Sequence, residues 1–132
     1  MTQMIRPEGL VRSPVFSHVA VIPTGATTIL VGGQNAVDAE GALIGGDDVA
    51  AQTRKVMENV RTALAAAGAT LDDVVSWSIT FVDGVDVEAA YAAAAPFLAT
   101  DRDPPLVTAA KVAGLAVPGA LVEASATAAV AP

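Results

Sequence analysis

From Val74 to Val82 the chain reads VVSWSITFV, and this stretch restricts the possible folds more than any other. Val75, Trp77, Ile79 and Phe81 fall on one side of an extended chain, while Ser76, Ser78 and Thr80 fall on the other. A second stretch near the C-terminus repeats the pattern: Val122, Ala124, Ala126, Ala128 and Val130 alternate with Glu123, Ser125 and Thr127. A strand of period two places each set on its own sheet face. The chain therefore needs a sheet with one bulky apolar face and one small polar face.

What covers the bulky face follows from the intervening segments. Val49, Val56, Val60 and Leu64, with Met57 beside them, recur at helical spacing over roughly 49 to 67, whereas Gln52, Arg54, Lys55, Glu58 and Arg61 fall largely elsewhere. Asp47 or Asp48 caps the start, and Gly68 ends the helix at the left-handed C-terminal position. A second helix starts near Asp86, runs through Tyr91 and an alanine run, and kinks or stops at Pro96. Val15 to Ile22 and Thr27 to Gly33, separated by the turn signal PTGA, read as a hairpin. DPPLVTAAKV, from Asp103 to Val112, reads as a turn and then a strand over about 106 to 113. The last strand spans 120 to 130.

Strands, helix, strand, helix, strands give an α+β domain: a mixed sheet with two helices on one face. At 132 residues without an internal repeat, one domain is expected. The polar face is left uncovered by the chain's own elements, so it is open to water or to another subunit. The apolar mass is mostly Ala and Val with five aromatics. So thin a core fits a small domain that completes its burial by oligomerising.

Several function classes are excluded. A net charge of −7 with scattered basic residues argues against nucleic acid, which is held by Lys and Arg neutralising phosphates. The absence of cysteine removes disulfides and thiolate chemistry. A single histidine, His18, rules out a multi-histidine metal site in one chain, and no cofactor or metal is expected. Residues 112 to 132 are nearly uncharged over a bilayer-spanning length, but Pro118, Gly119 and Glu123 divide them into strand pieces. No membrane association is expected, and with no apolar signal core at the start a cytoplasmic location is the default.

The order of elements and several motifs resemble the reactive intermediate deaminase family, also called the Rid or YjgF-like family. The matching pieces are SPVFSH (Ser13 to His18), ILVGGQ (Ile29 to Gln34), AAQTRKVMENVRTALAAAGATLDDVV (Ala50 to Val75) and VPGALVEASA (Val117 to Ala126). The resemblance implies a chorismate-mutase-like α+β fold and a homotrimer whose three sheets form a central barrel. It also implies small-molecule ligand clefts between subunits, and hydrolysis of reactive enamines and imines, such as 2-aminoacrylate, to the keto acid and ammonia. Active members carry an arginine at the start of the penultimate strand that clamps a substrate carboxylate. Counting back from VPGALVE places Val107 there, or Leu106 if the register slips by one, so the clamp is absent.

Glu123 matches a cleft carboxylate that orients water or carries a proton, which makes it the candidate catalytic residue. Phe16, Gly32, Gly33, Val107 and Thr108 are the candidate substrate-binding residues, Phe16 replacing a frequent tyrosine. Arg102 lies too near the turn to be assumed equivalent to the clamp. Glu88 stands where many members carry asparagine and is also a favourable acidic residue in a helix first turn. Trp77 and Tyr91 read as core packing, with Tyr91 the one to contact a neighbour. An anionic substrate beside an unpaired Glu123 is repelled by a few kcal/mol at ~4 Å in a low effective dielectric. The expected ligand is therefore neutral or cationic, with little action on 2-imino acids. The alternatives are a non-catalytic metabolite-binding or protein-stabilising trimer and, least of all, a ribonuclease.

Overall fold

The computed structural model describes residues 1–132. In chain order the elements are β1 (Gln3–Ile5), β2 (Val19–Val21), β3 (Thr27–Gln34), α1 (Val49–Ala66), a 3-10 turn (Leu71–Asp73), β4 (Val74–Val82), α2 (Val87–Leu98), β5 (Leu106–Val112) and β6 (Val122–Val130). Four strands form one sheet in the order β3-β6-β4-β5. β4 and β5 are parallel, connected through α2, and the other pairs are antiparallel. This is the expected α+β fold with a mixed sheet and two helices. The core lies between the helices and the apolar sheet face, around Trp77, Met57, Val56, Leu64 and Val122.

Local chemistry sets the ends of α1. The Asp48 carboxylate accepts from the Ala50 and Ala51 N–H groups at 3.0 and 3.2 Å, satisfying donors left free at a helix start. At the other end Gly68 takes φ 78°. Its N–H donates to the Ala65 carbonyl and that of Ala69 to the Leu64 carbonyl, the paired bonds that close a helix through a left-handed residue. Thr70 and Asp73 then shape the turn into β4, the Thr70 N–H donating to the Asp73 carboxylate at 2.8 Å.

Gln52 departs from the helical reading. Expected off the apolar stripe, it is fully buried. Its amide nitrogen donates to the carbonyls of Gly46 (2.6 Å) and Gly119 (3.0 Å), and its oxygen accepts from the Leu121 N–H (2.9 Å). A long polar side chain is stable inside when all its groups are paired. Here it ties the loop before α1 to the turn before β6.

Two further expectations are corrected. Val15 to Ile22 and Thr27 to Gly33 do not form a hairpin. β2 pairs with β1, a strand the sequence reading missed, in the register Met4↔Ala20, and β3 pairs with β6. The PTGA turn exists, closed by the Ala26 N–H on the Pro23 carbonyl, but the strands it joins enter different sheets. Of the two outcomes expected at Pro96, α2 does not stop there. Proline removes one N–H and crowds the carbonyl four residues back, yet the helix continues through Phe97 and Leu98, whose side chains pack on the core. No helix is long and apolar enough to cross a membrane.

Candidate functional site

Strand register assigns the polar residues to one face. Glu123 lies opposite Thr80, Ser125 opposite Ser78 and Thr127 opposite Ser76. Across β4, Thr108 lies opposite Ser78 and Ala110 opposite Thr80. On the far side Leu30 lies opposite Thr127 and is 76% exposed. Neither helix covers this surface.

At its upper end the β3–β6 register shifts between Val31 and Gln34, so Gly32 and Gly33 form an irregularity beside Glu123. The Glu123 side chain lies directly over Gly33. A Cβ built on Gly33 would collide with the carboxylate, whereas one on Gly32 would meet nothing within 4 Å. Gly33 therefore leaves the space that the carboxylate occupies, at an ordinary backbone angle. Across the strand from Glu123, the Thr80 hydroxyl is buried and has no hydrogen-bond partner in the protein. Partnerless buried hydroxyls are rare, and this one belongs to the residue opposite Glu123, so an unsatisfied donor lies next to the carboxylate's strand position.

The helix side carries a different feature. Val107 lies opposite Trp77, on the apolar face, and with Phe16 it lines a cavity of about 150 Å³ under α2. Phe16 is held there by its neighbours. The Ser17 N–H donates to the Pro105 carbonyl at 3.1 Å, docking the loop at the start of β5. The His18 ring meets Phe16 edge to face at 5.3 Å between centroids. His18 Nε2 lies 2.8 Å from the Val11 carbonyl oxygen. A carbonyl only accepts, so that nitrogen carries a hydrogen, and the imidazole serves as a clip within its own loop.

The predicted residues thus fall in two groups within one chain. Glu123 and Gly33 are in contact, and Thr108 shares their face two strands away. Phe16 and Val107 share the opposite face. Arg102 donates to the Val74 carbonyl at 3.1 Å and lines a groove that also borders Val15 and Tyr91. Glu88 is exposed in the first turn of α2, and Tyr91, expected in the core, is 47% exposed, its ring at the cavity rim. No group of three acidic or histidine side chains gathers to hold a metal. The sequence reading missed Thr80 as a site residue, although the Ser76, Ser78, Thr80 row was its signal. It also missed the cavity, which no local pattern announces.

The sequence model of the family described as Endoribonuclease L-PSP matches residues 12–130. Among solved structures, the Rid family protein YyfB from Yersinia pestis is 34% identical with a TM-score of 0.83, over 96% of this chain and 97% of that one. Rv2704 of Mycobacterium tuberculosis, from the YjgF family, is 30% identical with a TM-score of 0.65, over 98% and 100% of the two chains. Escherichia coli TdcF, solved with bound serine, is 25% identical with a TM-score of 0.68, over 81% and 83%. No curated protein matches the chain.

Proposed function

Because this chain belongs to the Endoribonuclease L-PSP family, the family of the Rid and YjgF proteins, we propose that it is a cytoplasmic homotrimer whose intersubunit clefts take a small nitrogenous or carbonyl metabolite. In this reading it hydrolyses an uncharged or cationic enamine or imine, with Glu123 as acid and base. The observation that carries it is the Glu123 carboxylate held over Gly33 beside the partnerless Thr80 hydroxyl. The serine bound to TdcF supports a small polar ligand in this family.

The trimer is supported by what the single chain leaves unfinished. β3 and β5 are both edge strands with unpaired backbone groups, and the Ser/Thr face is uncovered. If three sheets close into a ring, each seam joins the β3 edge of one copy to the β5 edge of the next. Gly32, Gly33 and Glu123 of one copy would then lie across the seam from the strand that carries Val107 and Thr108 in its partner.

The chemistry requires few groups. With the C=N nitrogen protonated, water held by the Glu123 carboxylate adds to the carbon, its proton passing to Glu123. Glu123 returns that proton to the carbinolamine nitrogen, the C–N bond breaks to release ammonia, and the hydroxyl proton passes through the freed carboxylate to the ammonia, leaving a carbonyl compound and ammonium. A 2-imino acid is disfavoured because Val107 supplies no counter-charge for its carboxylate. Ammonia release from 2-iminobutyrate should be weak and should rise in Val107→Arg. Robust release by the unmodified protein would overturn the argument from the missing clamp. Glu123→Gln should abolish any hydrolysis found, and unchanged turnover would remove Glu123 from the mechanism.

The missing arginine specifically favours a second reading, a non-catalytic metabolite-binding or protein-stabilising trimer. Absence of turnover in both the parent and Val107→Arg would select it. Ribonuclease action, suggested by the family's printed description, is the weakest reading for a chain of charge −7.

A further inference from the structure

Apart from Phe16 and Val107, the residues lining the cavity of about 150 Å³ under α2 have no part in the chemistry above. We propose that this cavity binds the apolar portion of an uncharged ligand, a six-membered carbon ring or a branched chain of similar bulk, entering from the β5 edge of the sheet. That the ligand carries a C=N bond rests on the proposed function; that it is apolar and uncharged rests on the cavity alone.

Fifteen of the sixteen lining residues are hydrophobic. The exception, Thr53, already donates its hydroxyl to the Val49 carbonyl at 2.7 Å. A water molecule needs two to four polar partners to be stable inside a protein, and this wall supplies almost none. Apolar cavities of roughly 150 Å³ stay dry and bind benzene. Close-packed interiors leave few voids of that size. Here the space exists because Ala90 and Ala94 of α2 face Ala109 of β5 and Ala124 of β6, four short side chains on three elements.

The cavity has a way in. Val15 (46% exposed), Tyr91 (47% exposed) and the exposed Ala109 frame its β5 side, with Phe16 half-buried behind them. A carboxylate placed inside would lose its hydration and find no donor, so an anion is excluded. Val107 lies in the wall at the sheet edge, so a ligand whose apolar end fills the cavity leaves its other end at the seam where β5 would meet a partner's β3. The cavity thus selects by shape and lack of charge where an arginine at Val107 would select for an anion.

The test is a methyl NMR titration of the full chain with toluene, and in parallel with benzoate, its charged counterpart of similar size. Saturable toluene shifts at Val56, Met57, Val107 and Ala124, none at Leu30, and no benzoate binding are expected. Ala94→Leu and, from the opposite wall, Val107→Phe should each weaken toluene binding about tenfold or more by filling the space. Two fillers are used because overpacking Ala94 costs stability, and each is read only with a cooperative melt. Absence of saturable shifts, benzoate binding as tight as toluene, or toluene binding unchanged in both fillers would overturn the proposal. Toluene binding by a protein that turns over no imine would support the cavity and count against the hydrolase reading alone. Turnover of an apolar imine undiminished by both fillers would overturn the cavity's role and leave that reading intact.

Discussion

On the helix side of β4, Trp77 is 1% exposed; one residue later, on the other side, Ser78 is exposed to solvent. The two faces of this sheet are made from the same strands, yet the chain closes only one of them. The closed face holds nearly all the large buried side chains and still leaves an apolar void. The open face holds Ser76, Ser78, Thr80, Glu123, Ser125 and Thr127 in register, with Leu30 beside them. The contrast separates two surfaces: the helix side supplies the stability of the single chain, and the polar side is the one left open for the assembly and chemistry proposed above. Substitutions on the two faces should therefore differ in kind as well as in size.

The largest effect is expected from Trp77→Ala, which removes the largest fully buried side chain. A loss of about 3–5 kcal/mol in urea unfolding is expected from lost burial plus the cavity left behind. A loss below about 1 kcal/mol would place the core elsewhere and break the contrast. Gln52→Leu should cost about 1–3 kcal/mol, because the Leu121 N–H and the carbonyls of Gly46 and Gly119 lose their partner together. The same measurement in Gln52→Ala separates the lost polar ties from lost packing. If both variants unfold like the parent, the pin between the α1 loop and the β6 turn carries no weight.

Leu30→Arg addresses the open face. In a monomer, a substitution at a residue 76% exposed should change stability by less than about 0.5 kcal/mol. In a trimer closed through that face, three guanidinium groups would enter the contact, and sedimentation should report the mass of one chain while circular dichroism stays unchanged. A parent protein that is itself monomeric at micromolar concentration would end the reading of this face as an assembly surface.

How much of this is visible in the sequence depends on whether the cause is local. The faces of β4 and β6 are readable from alternation alone, and the ends of α1 from Asp48 and Gly68, because each rests on neighbours a few residues apart. The partner of β2 is not, since period two establishes a strand without saying what it pairs with. Gln52 looks solvent-facing because its partners, Gly119 and Leu121, lie more than sixty positions away. The cavity is least visible of all, being the sum of alanines on α2, β5 and β6. Glu123 and Gly33 were each found through separate motifs, and only the β3–β6 register brings them into contact.

That contact supports the smallest and sharpest prediction. Gly33→Ala inserts a methyl group where the Glu123 carboxylate now lies, while Gly32→Ala inserts one into open space. The obstructing group is the far end of a flexible side chain, so Glu123 swings aside and stability changes by no more than about 0.5 kcal/mol. Neither glycine sits at a positive φ, so backbone strain contributes to neither variant. The side-chain carboxyl ¹³C resonance of Glu123 should therefore move in Gly33→Ala and stay in place in Gly32→Ala. Any hydrolysis should fall with it, in the same direction as in Glu123→Gln. If the two alanine variants behave alike, the carboxylate is not held over Gly33, and the open face loses the arrangement that distinguishes it from an ordinary solvated strand.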